Sequence, residues 1–409
     1  MAAGRRIVGG EGRMVSAPGA SSRLLLGASL VLIAFNLRPV FSSLSVLLPD
    51  ISEATGLSAF GAGVLTTLPV VCLGAFAPVA PWMSRRIGTD RTFLMLLVLL
   101  ALGTAMRGLG LLPLFVGQTL AGACIAGGNV LLPGLVKRDF PDRSALMTGL
   151  YTMALCGGAA IAAGLTVPIK SVFGDSWTLA LAVWTLPVVL ALVVWLPQLG
   201  GTGAKARPLH RRIVGLWKDP LAWQLTLFMG LQSSLAYSVF GWLAPILRAR
   251  GLEAATAGGI VSADVLVQVA SCLITPAIAV RCRDQRAVNV VLAACAAGSL
   301  AGLVFAPLWM ALPFALIQGI GQGGLIAVAI TMIVLRSPDS HVAAELSGMA
   351  QCVGYLLASL APLTVGVTQG LTGDFALAGL LFILIGVLLA CMGLGAGRAL
   401  HVKARSVEN

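Results

Sequence analysis

The tetrapeptide Asn36-Leu37-Arg38-Pro39 stands inside a long apolar run. Arg38 lies about 14 residues into that run, or about 21 Å along a helix at about 1.5 Å per residue. A guanidinium at that depth in hydrocarbon is expensive and needs a partner, water or a ligand. Its donors form a planar fork that suits carboxylate-like and linear anions. Pro39 lacks an N–H and clashes with the preceding turn, so it predicts a kink and a freed carbonyl beside the cation. A fixed cation next to irregular backbone is what an anion site needs. The other reading of Arg38 is a permanent pair with a structural acid, and Asp264 is the one obvious acid at similar depth in another apolar run.

Further polar side chains fall near the middle of apolar runs: Asn129, Tyr151, Gln232, Tyr237, Gln322, Gln351 and Tyr355, with Asn36 beside the cation itself. Each alone reads as an interhelical hydrogen bond worth roughly 1 kcal/mol. Grouped around Arg38 they would be directional ligands for a small solute, with Trp242 as a wall. Asp264 reads either as the carrier of a coupling proton or as a counter-ion. Arg107, near the end of its run, reads as a side chain snorkelling to headgroups or attracting anions. No nucleophile sits with a base, and the three histidines fall in connecting segments. None of the eight cysteines forms a CxxC pair, so they read as small buried hydrophobes. No catalytic set, metal site or cofactor is expected. A GxxxxGK[ST] loop is missing, which excludes a nucleotide motor within this chain.

The composition dictates what positions these residues. The 409 residues are 58% hydrophobic and 10% charged, against about 25% charged in soluble domains. About 20 apolar residues cross a bilayer, and twelve candidate spans are legible: 24–48, 57–83, 91–109, 112–136, 144–169, 175–196, 221–247, 254–280, 287–306, 308–335, 342–368 and 374–396. The expected fold class is therefore all-α and integral to the membrane. A disordered N-terminus (1–21) precedes a six-helix bundle (22–197). A basic linker (198–220), a second six-helix bundle (221–397) and a tail (398–409) follow. Of the 27 Lys and Arg residues, 22 fall on the side of both termini and the linker, four on the other side, and Arg38 inside a span. That bias puts both termini in the cytoplasm, and it accounts for the net charge of +12 without a nucleic-acid partner.

The halves repeat. Gly56-Leu57-Ser58-Ala59 matches Gly251-Leu252-Glu253-Ala254, and Arg86 and Arg91 then land on Arg281 and Arg286. Leu112-Pro113 and Gln118 match Leu312-Pro313 and Gln318, and Pro141-Asp142 matches Pro338-Asp339. Parallel repeats of this kind bind substrate near midplane, between the halves. The repeat sets Gln232 opposite Arg38, a neutral amide against a cation, which suits a singly charged anion. Gly319 and Gly323 form a GxxxG for close helix packing.

Six spans plus six, with a basic connection after span 2, resemble the major facilitator superfamily over residues 22–398. Its hallmark loop is matched by Pro81 to Arg91, where Arg86 and Gly88 fit and Pro81 and Arg85 depart from the pattern. The resemblance implies a cytoplasmic gate using Arg86, Gly88, Asp90, Arg91, Asp142 and Arg143, with Asp90 standing in for the missing acid. Phe35-Asn36-Leu37-Arg38-Pro39, Asn129-Val130-Leu131-Leu132-Pro133, Val136 to Pro141, Met147 to Tyr151, Pro220 to Gln224 and Gly230 to Ser233 resemble the cyanate and 2-nitroimidazole porter branch. That branch implies a small-molecule substrate, and the superfamily implies alternating access, a cavity lined by spans 1, 4, 7 and 10 and a monomer; the expected location is the cell's inner (plasma) membrane. The expected function is secondary transport of a small anionic or electron-rich solute. The alternatives are an exporter of nitro-heterocyclic or other drug-like compounds and, in another class, a non-transporting sensor on a transporter scaffold.

Overall fold

The computed structural model describes residues 20–140, 143–200, 212–338 and 340–407. The expectations for residues 1–19 and for Asp142 lie outside them. The first apolar run forms two helices, α1 (Ala20–Phe35) and α2 (Pro39–Thr55), broken at residues 36–38. This is the kink that Pro39 dictates, since proline is favoured at the first turn of a new helix but cannot continue an old one. The second run is likewise divided, into α3 (Ala59–Ala75) and α4 (Val79–Ile87), around Pro78. Then come α5 (Thr89–Met106), α6 (Leu111–Asp139), α7 (Ser144–Val172), and a sixth run split into α8 (Trp177–Ala182) and α9 (Thr185–Trp195). The second half contains α10 (Pro220–Ala249), α11 (Ala254–Arg281), α12 (Arg286–Phe305), α13 (Ala311–Leu335), α14 (Ser340–Thr372) and α15 (Ala376–Ala396).

Eleven of these runs are long and apolar enough to cross a membrane, and α3 is a shorter apolar helix. Their outward side chains are hydrocarbon, as at Leu102, Leu186, Val334 and Leu380. Only lipid can solvate such a belt. Turns begin on glycines with positive φ, among them Gly56 and Gly251 at matching places in the two halves. Ser58 caps α3 by accepting from the Gly61 N–H at 3.1 Å, and Asp219 caps α10 through the Leu221 and Ala222 N–H groups.

One end of the molecule carries the charge-rich turns around residues 87–89 and 282–285; we call it the basic end. There a short ribbon pairs β1 (Arg212–Val214) with β2 (Arg405–Val407), antiparallel, Ile213 opposite Ser406. Asp219 also accepts the Lys403 N–H. The tail is thus tied to the segment leading into α10.

The two halves meet mainly towards the opposite, far end. A Cβ on Gly63 of α3 would stand 3.2 Å from the Gly366 Cα of α14, so the two backbones touch. On the other flank Gly258 of α11 abuts the Ala163 carbonyl of α7. Inside the second half the Gly319–Gly323 pair works as its spacing predicts: Gly319 lies against Asp264 and Gly323 against Gln268, both on α11.

Candidate functional site

Between the halves is a cavity of about 260 Å³. The α1–α2 break sets Arg38 on its wall, with α7 contributing Thr152 and Cys156, α10 Gln232 and Tyr237, α11 Gln268 and Cys272, α13 Gln322, and α14 Tyr355. The wall continues towards the basic end along Thr148, Pro276, Ile330 and Thr331, residues near the basic ends of their helices.

Arg38 is half-buried and caps the start of α2 without a side-chain cap bond. Its Nη1 donates to the Tyr237 hydroxyl at 3.4 Å. Its Cζ stands 5.3 Å from the Phe240 ring centre and 5.7 Å from that of Tyr237. Phe41 and Tyr355 extend this aromatic set, packing on Tyr237 at 5.5 and 5.9 Å. Cation–π contacts of this kind are worth about 0.5–2 kcal/mol each, which offsets only part of the cost of a cation at membrane depth. Among the described residues no carboxylate pairs with Arg38, so the structural-pair reading with Asp264 does not hold. The guanidinium, together with the positive end of the α2 dipole, gives the cavity a fixed positive field.

Opposite the cation is an amide pair. Gln322 donates to Gln232 Oε1 at 3.0 Å and to its carbonyl at 3.1 Å. Gln232 donates on to the Ser233 hydroxyl at 2.8 Å. Arg38, Gln232, Tyr237, Gln322 and Tyr355 are thus brought together as the sequence suggests.

Five other candidates are not part of this wall. Asn36 turns into the first half, donating to the Leu32 and Pro187 carbonyls at 2.8 and 3.0 Å, and so braces the helix break. Gln351 donates to Ser347, one turn back on α14. Asn129 and Tyr151 are absent from the wall. Trp242 is five residues past Tyr237, towards the far end. Its indole N–H donates to the Pro362 carbonyl at 2.9 Å and its ring packs on Phe375. It lines a second, larger cavity of about 850 Å³ at the far end, with Phe60 and Arg248.

Asp264 is also off the wall, one turn beyond Gln268, which donates to its Oδ2 at 2.9 Å. Arg107 corrects the snorkelling expectation: it is fully buried and donates to the Ser43 hydroxyl of α2 at 2.9 Å. It braces α5 against α2 and faces no headgroup.

At the basic end, Asp90 pairs with Arg138 at 2.9 Å, and Arg138 also pairs with Asp139 at 2.7 Å. Partial burial opposes the Arg138 charge, but the bonds to Asp139 and Asp90 outweigh it and lift its pKa above arginine's ordinary value. All three residues belong to the first half. Arg86 stacks over Trp82 at 4.7 Å. Gly88 has φ +90° where α4 turns into α5. Arg91 and Arg143 are exposed. No ion pair joins the halves at this end among the described residues.

The halves are joined by charge at the far end, through residues not singled out from sequence. Asp50 of α2 accepts from Arg248 of α10 at 2.5 and 3.4 Å and from Lys170 of α7 at 2.9 Å. The available signal was the charge count: Lys170 and Arg248 are two of the four cations on the sparsely charged side, and Asp50 and Glu53 are the acids at that end of the first run.

A family model described as the Major Facilitator Superfamily matches residues 24–362. An uncharacterized transporter of Bacillus subtilis (strain 168), YycB, is 37% identical over 380 residues, covering 91% of this chain and 93% of that one. The 2-nitroimidazole transporter of Escherichia coli (strain K12) is 37% identical over 387 residues, covering 93% and 98%. The cyanate transport protein CynX of the same strain is 30% identical over 350 residues, covering 85% and 90%. In fold, the chain is similar to a bacterial homolog of the human lysosomal transporter Spinster in an inward-facing, unoccupied conformation. The TM-score is 0.76 at 15% identity, with 93% of this chain and 98% of that one covered. It is similar also to the D-xylose-proton symporter, with a TM-score of 0.75 at 13% identity and the same coverage. A multi-pass membrane chain with its helices in two matching halves, a cavity between them and relatives named as transporters, this protein belongs to the major facilitator superfamily.

Proposed function

We propose that the chain is a secondary active transporter that moves a small anionic or electron-rich solute by alternating access, its two units being residues 22–197 and 221–397. The observation that carries this reading is Arg38: a cation on a cavity wall between the halves, at a helix break, with no carboxylate partner among the described residues. Gln232, Gln322, Tyr237 and Tyr355 supply directional hydrogen bonds around it. The basic end is the cytoplasmic end, as the Lys and Arg bias requires. The membrane is the bacterial inner membrane and the working unit is a monomer. The arrangement is then the inward-facing one, with the Asp50–Arg248 pair closing the outside and the Asp90–Arg138 group free to re-pair when the inside closes.

A second reading has its own observation. Phe240, Tyr237 and Tyr355 give the cavity an aromatic side that fits a flat heterocycle, and a relative of this chain is named a 2-nitroimidazole transporter.

The test is counterflow in proteoliposomes with cyanate, nitrite and 2-nitroimidazole, for the native protein and for Arg38→Gln. Saturable exchange of an anion that is lost in a folded Arg38→Gln supports the anion site. Anion exchange that survives in Arg38→Gln overturns it, and exchange of 2-nitroimidazole alone in both proteins moves the assignment to the second reading.

A further inference from the structure

The far-end cavity lies between the halves. From the first half, α2, α3 and the turn joining them line it; from the second, α10, α14 and the turn into α15 do. Ser58, Phe60 and Leu371 on its wall are exposed, so the cavity opens to the far-end surface. Its volume of about 850 Å³ falls in the range of small-molecule sites, about 300–1,000 Å³. The cavity at Arg38 measures about 260 Å³ and shares no wall residue with it. A solute larger than a triatomic anion has room at the far end.

Three aromatic side chains line this space: Phe60 of α3, Trp242 of α10 and Phe375 at the start of α15. Trp242 and Phe375 pack with ring centres 5.9 Å apart and planes at 60°. The Trp242 N–H is spent on the Pro362 carbonyl, so the indole offers ring surface rather than a donor. Among the described residues Arg248 is the one charged side chain on the wall. Its Nη1 and Nη2 donate to Asp50, and Nη1 also to the Val46 carbonyl at 3.5 Å. Nε donates to no group among the described residues. Asp50 is off the wall and has a second cation, Lys170, at 2.9 Å. The partly buried group is thus one acid against two cations, an excess of one positive charge. Asp175 also reaches Lys170, at 3.8 Å, but is 78% exposed, where water screens it. The nearby acids Glu53 and Asp374 are exposed as well and off the wall.

We propose that the far-end cavity is a second binding site, for a flat aromatic anion of the benzoate kind, whose carboxylate competes with Asp50 for Arg248. A guanidinium fork takes a carboxylate in two parallel bonds, and the ring of the same solute packs on Trp242, Phe375 and Phe60. Asp50 can give up Arg248 because Lys170, on its own half, still holds it. The exchange has a mechanical result. The Asp50–Arg248 pair crosses between the halves. It is replaced by a solute bound to Arg248, Trp242 and Phe375 of the second half, with Phe60 the one ring from the first. Occupancy therefore loosens the far-end closure, and by linkage a loosened closure binds the solute more tightly. The site goes beyond the anion reading of the Arg38 cavity and does not depend on it.

The test is equilibrium binding of radiolabelled benzoate to the full chain in detergent, with benzamide and cyclohexanecarboxylate as competitors. Expected is saturable binding that survives Arg38→Gln and that both competitors displace poorly, the first for want of charge and the second for want of a flat ring. Arg248→Gln should weaken it about tenfold or more, the loss of a charge-assisted bond. Phe60→Ala should weaken it about 2–10-fold, the worth of one aromatic contact. Asp50→Asn should tighten it about fivefold or more, because the competitor for Arg248 is gone. Phe60 is exposed, so Phe60→Ala still reports if an ion-pair variant does not fold. The proposal is overturned by absence of saturable binding, by binding kept in both Arg248→Gln and Phe60→Ala, by equal displacement with either competitor, or by unchanged affinity in Asp50→Asn. Any benzoate held in the inner cavity is a separate site that Arg38→Gln removes, so the two readings fail independently.

Discussion

Replacing Asp50 by Asn should release the far end. Arg248 reaches Asp50 with two contacts, at 2.5 and 3.4 Å, and this is the ion pair that crosses between the halves among the described residues. The side chains are 17% and 20% exposed, so water screens the pair only in part. A hydrogen bond to a charged group contributes about 1.5–3 kcal/mol; exposed pairs fall to about 0–1 kcal/mol. For this half-screened, two-contact pair we take about 2 kcal/mol, or a shift of about 30-fold in the balance between far-closed and far-open forms. Asn also leaves Lys170 and Arg248 facing each other with no acid between them, which adds to the opening. The assay is pulsed electron spin resonance between labels at Val172 and Leu371. These lie on opposite halves near the far end and are about four-fifths exposed, at 80% and 79%. The accessible native cysteines are replaced first. The long-distance population should grow in Asp50→Asn and in Arg248→Gln. Lys170→Met is the discriminating control, because Lys170 and Asp50 sit on the same half and their bond does not span the interface. It should leave the distribution unchanged. A distribution in Asp50→Asn identical to the native one, or opening by Lys170→Met alone, would refute the assignment of the lock to Asp50–Arg248.

Two further outcomes follow from packing and capping. Gly323→Val should destabilise the second half by about 1–3 kcal/mol, the usual cost of overpacking, because a Cβ there would overlap the Gln268 backbone; thermal unfolding in detergent reads it, and Gly348→Ala, with open space around it, serves as the tolerant control. Asp219→Ala removes the cap of α10 and the bond to the Lys403 N–H, at a cost of about 1–2 kcal/mol for the cap; limited proteolysis should then cut the tail sooner than in the native protein.

Much of the architecture was legible in the sequence because the bilayer simplifies the problem. Hydropathy marks where each helix lies, and Pro39 marks where the first one breaks. Depth can be counted along a helix, so Arg38, Gln232, Tyr237, Gln322 and Tyr355 could be placed at one level. The direction a side chain takes around its helix is harder to read. α6 is apolar or small on nearly every side, so no polar stripe separates a cavity face from a packing face there. Asn129 was chosen by depth and is off the wall, while Gln351 shares the face of Tyr355 and lies one turn nearer the basic end, off the wall along the axis. Asn36 shows a related limit: its neighbour Arg38 is on the wall, but the break rotates the chain between them, and its amide is spent on Leu32 and Pro187. Trp242 was misplaced along the axis, since five further residues carry it about 7.5 Å past Tyr237. Arg107 looked terminal by counting, but Ser43 draws it inward. The Asp50–Lys170–Arg248 group needed three helices to be placed at once, which no local pattern encodes.

The glycine contact between α3 and α14 bears on how fast the carrier can turn over. Gly63 and Gly366 meet backbone to backbone, and Gly370 comes up against Ala59 one turn further on. Neither helix inserts a side-chain tooth into the other here, so parting them requires no rotamer to flip and no knob to climb out of a hole. The interface behaves like two smooth rails held by area alone. Its resistance then scales with the contact removed rather than with a friction of interlocked shapes, which leaves the Asp50–Arg248 pair as the specific latch at this end; bulk added at Gly63 or Gly366 would turn the rails into teeth.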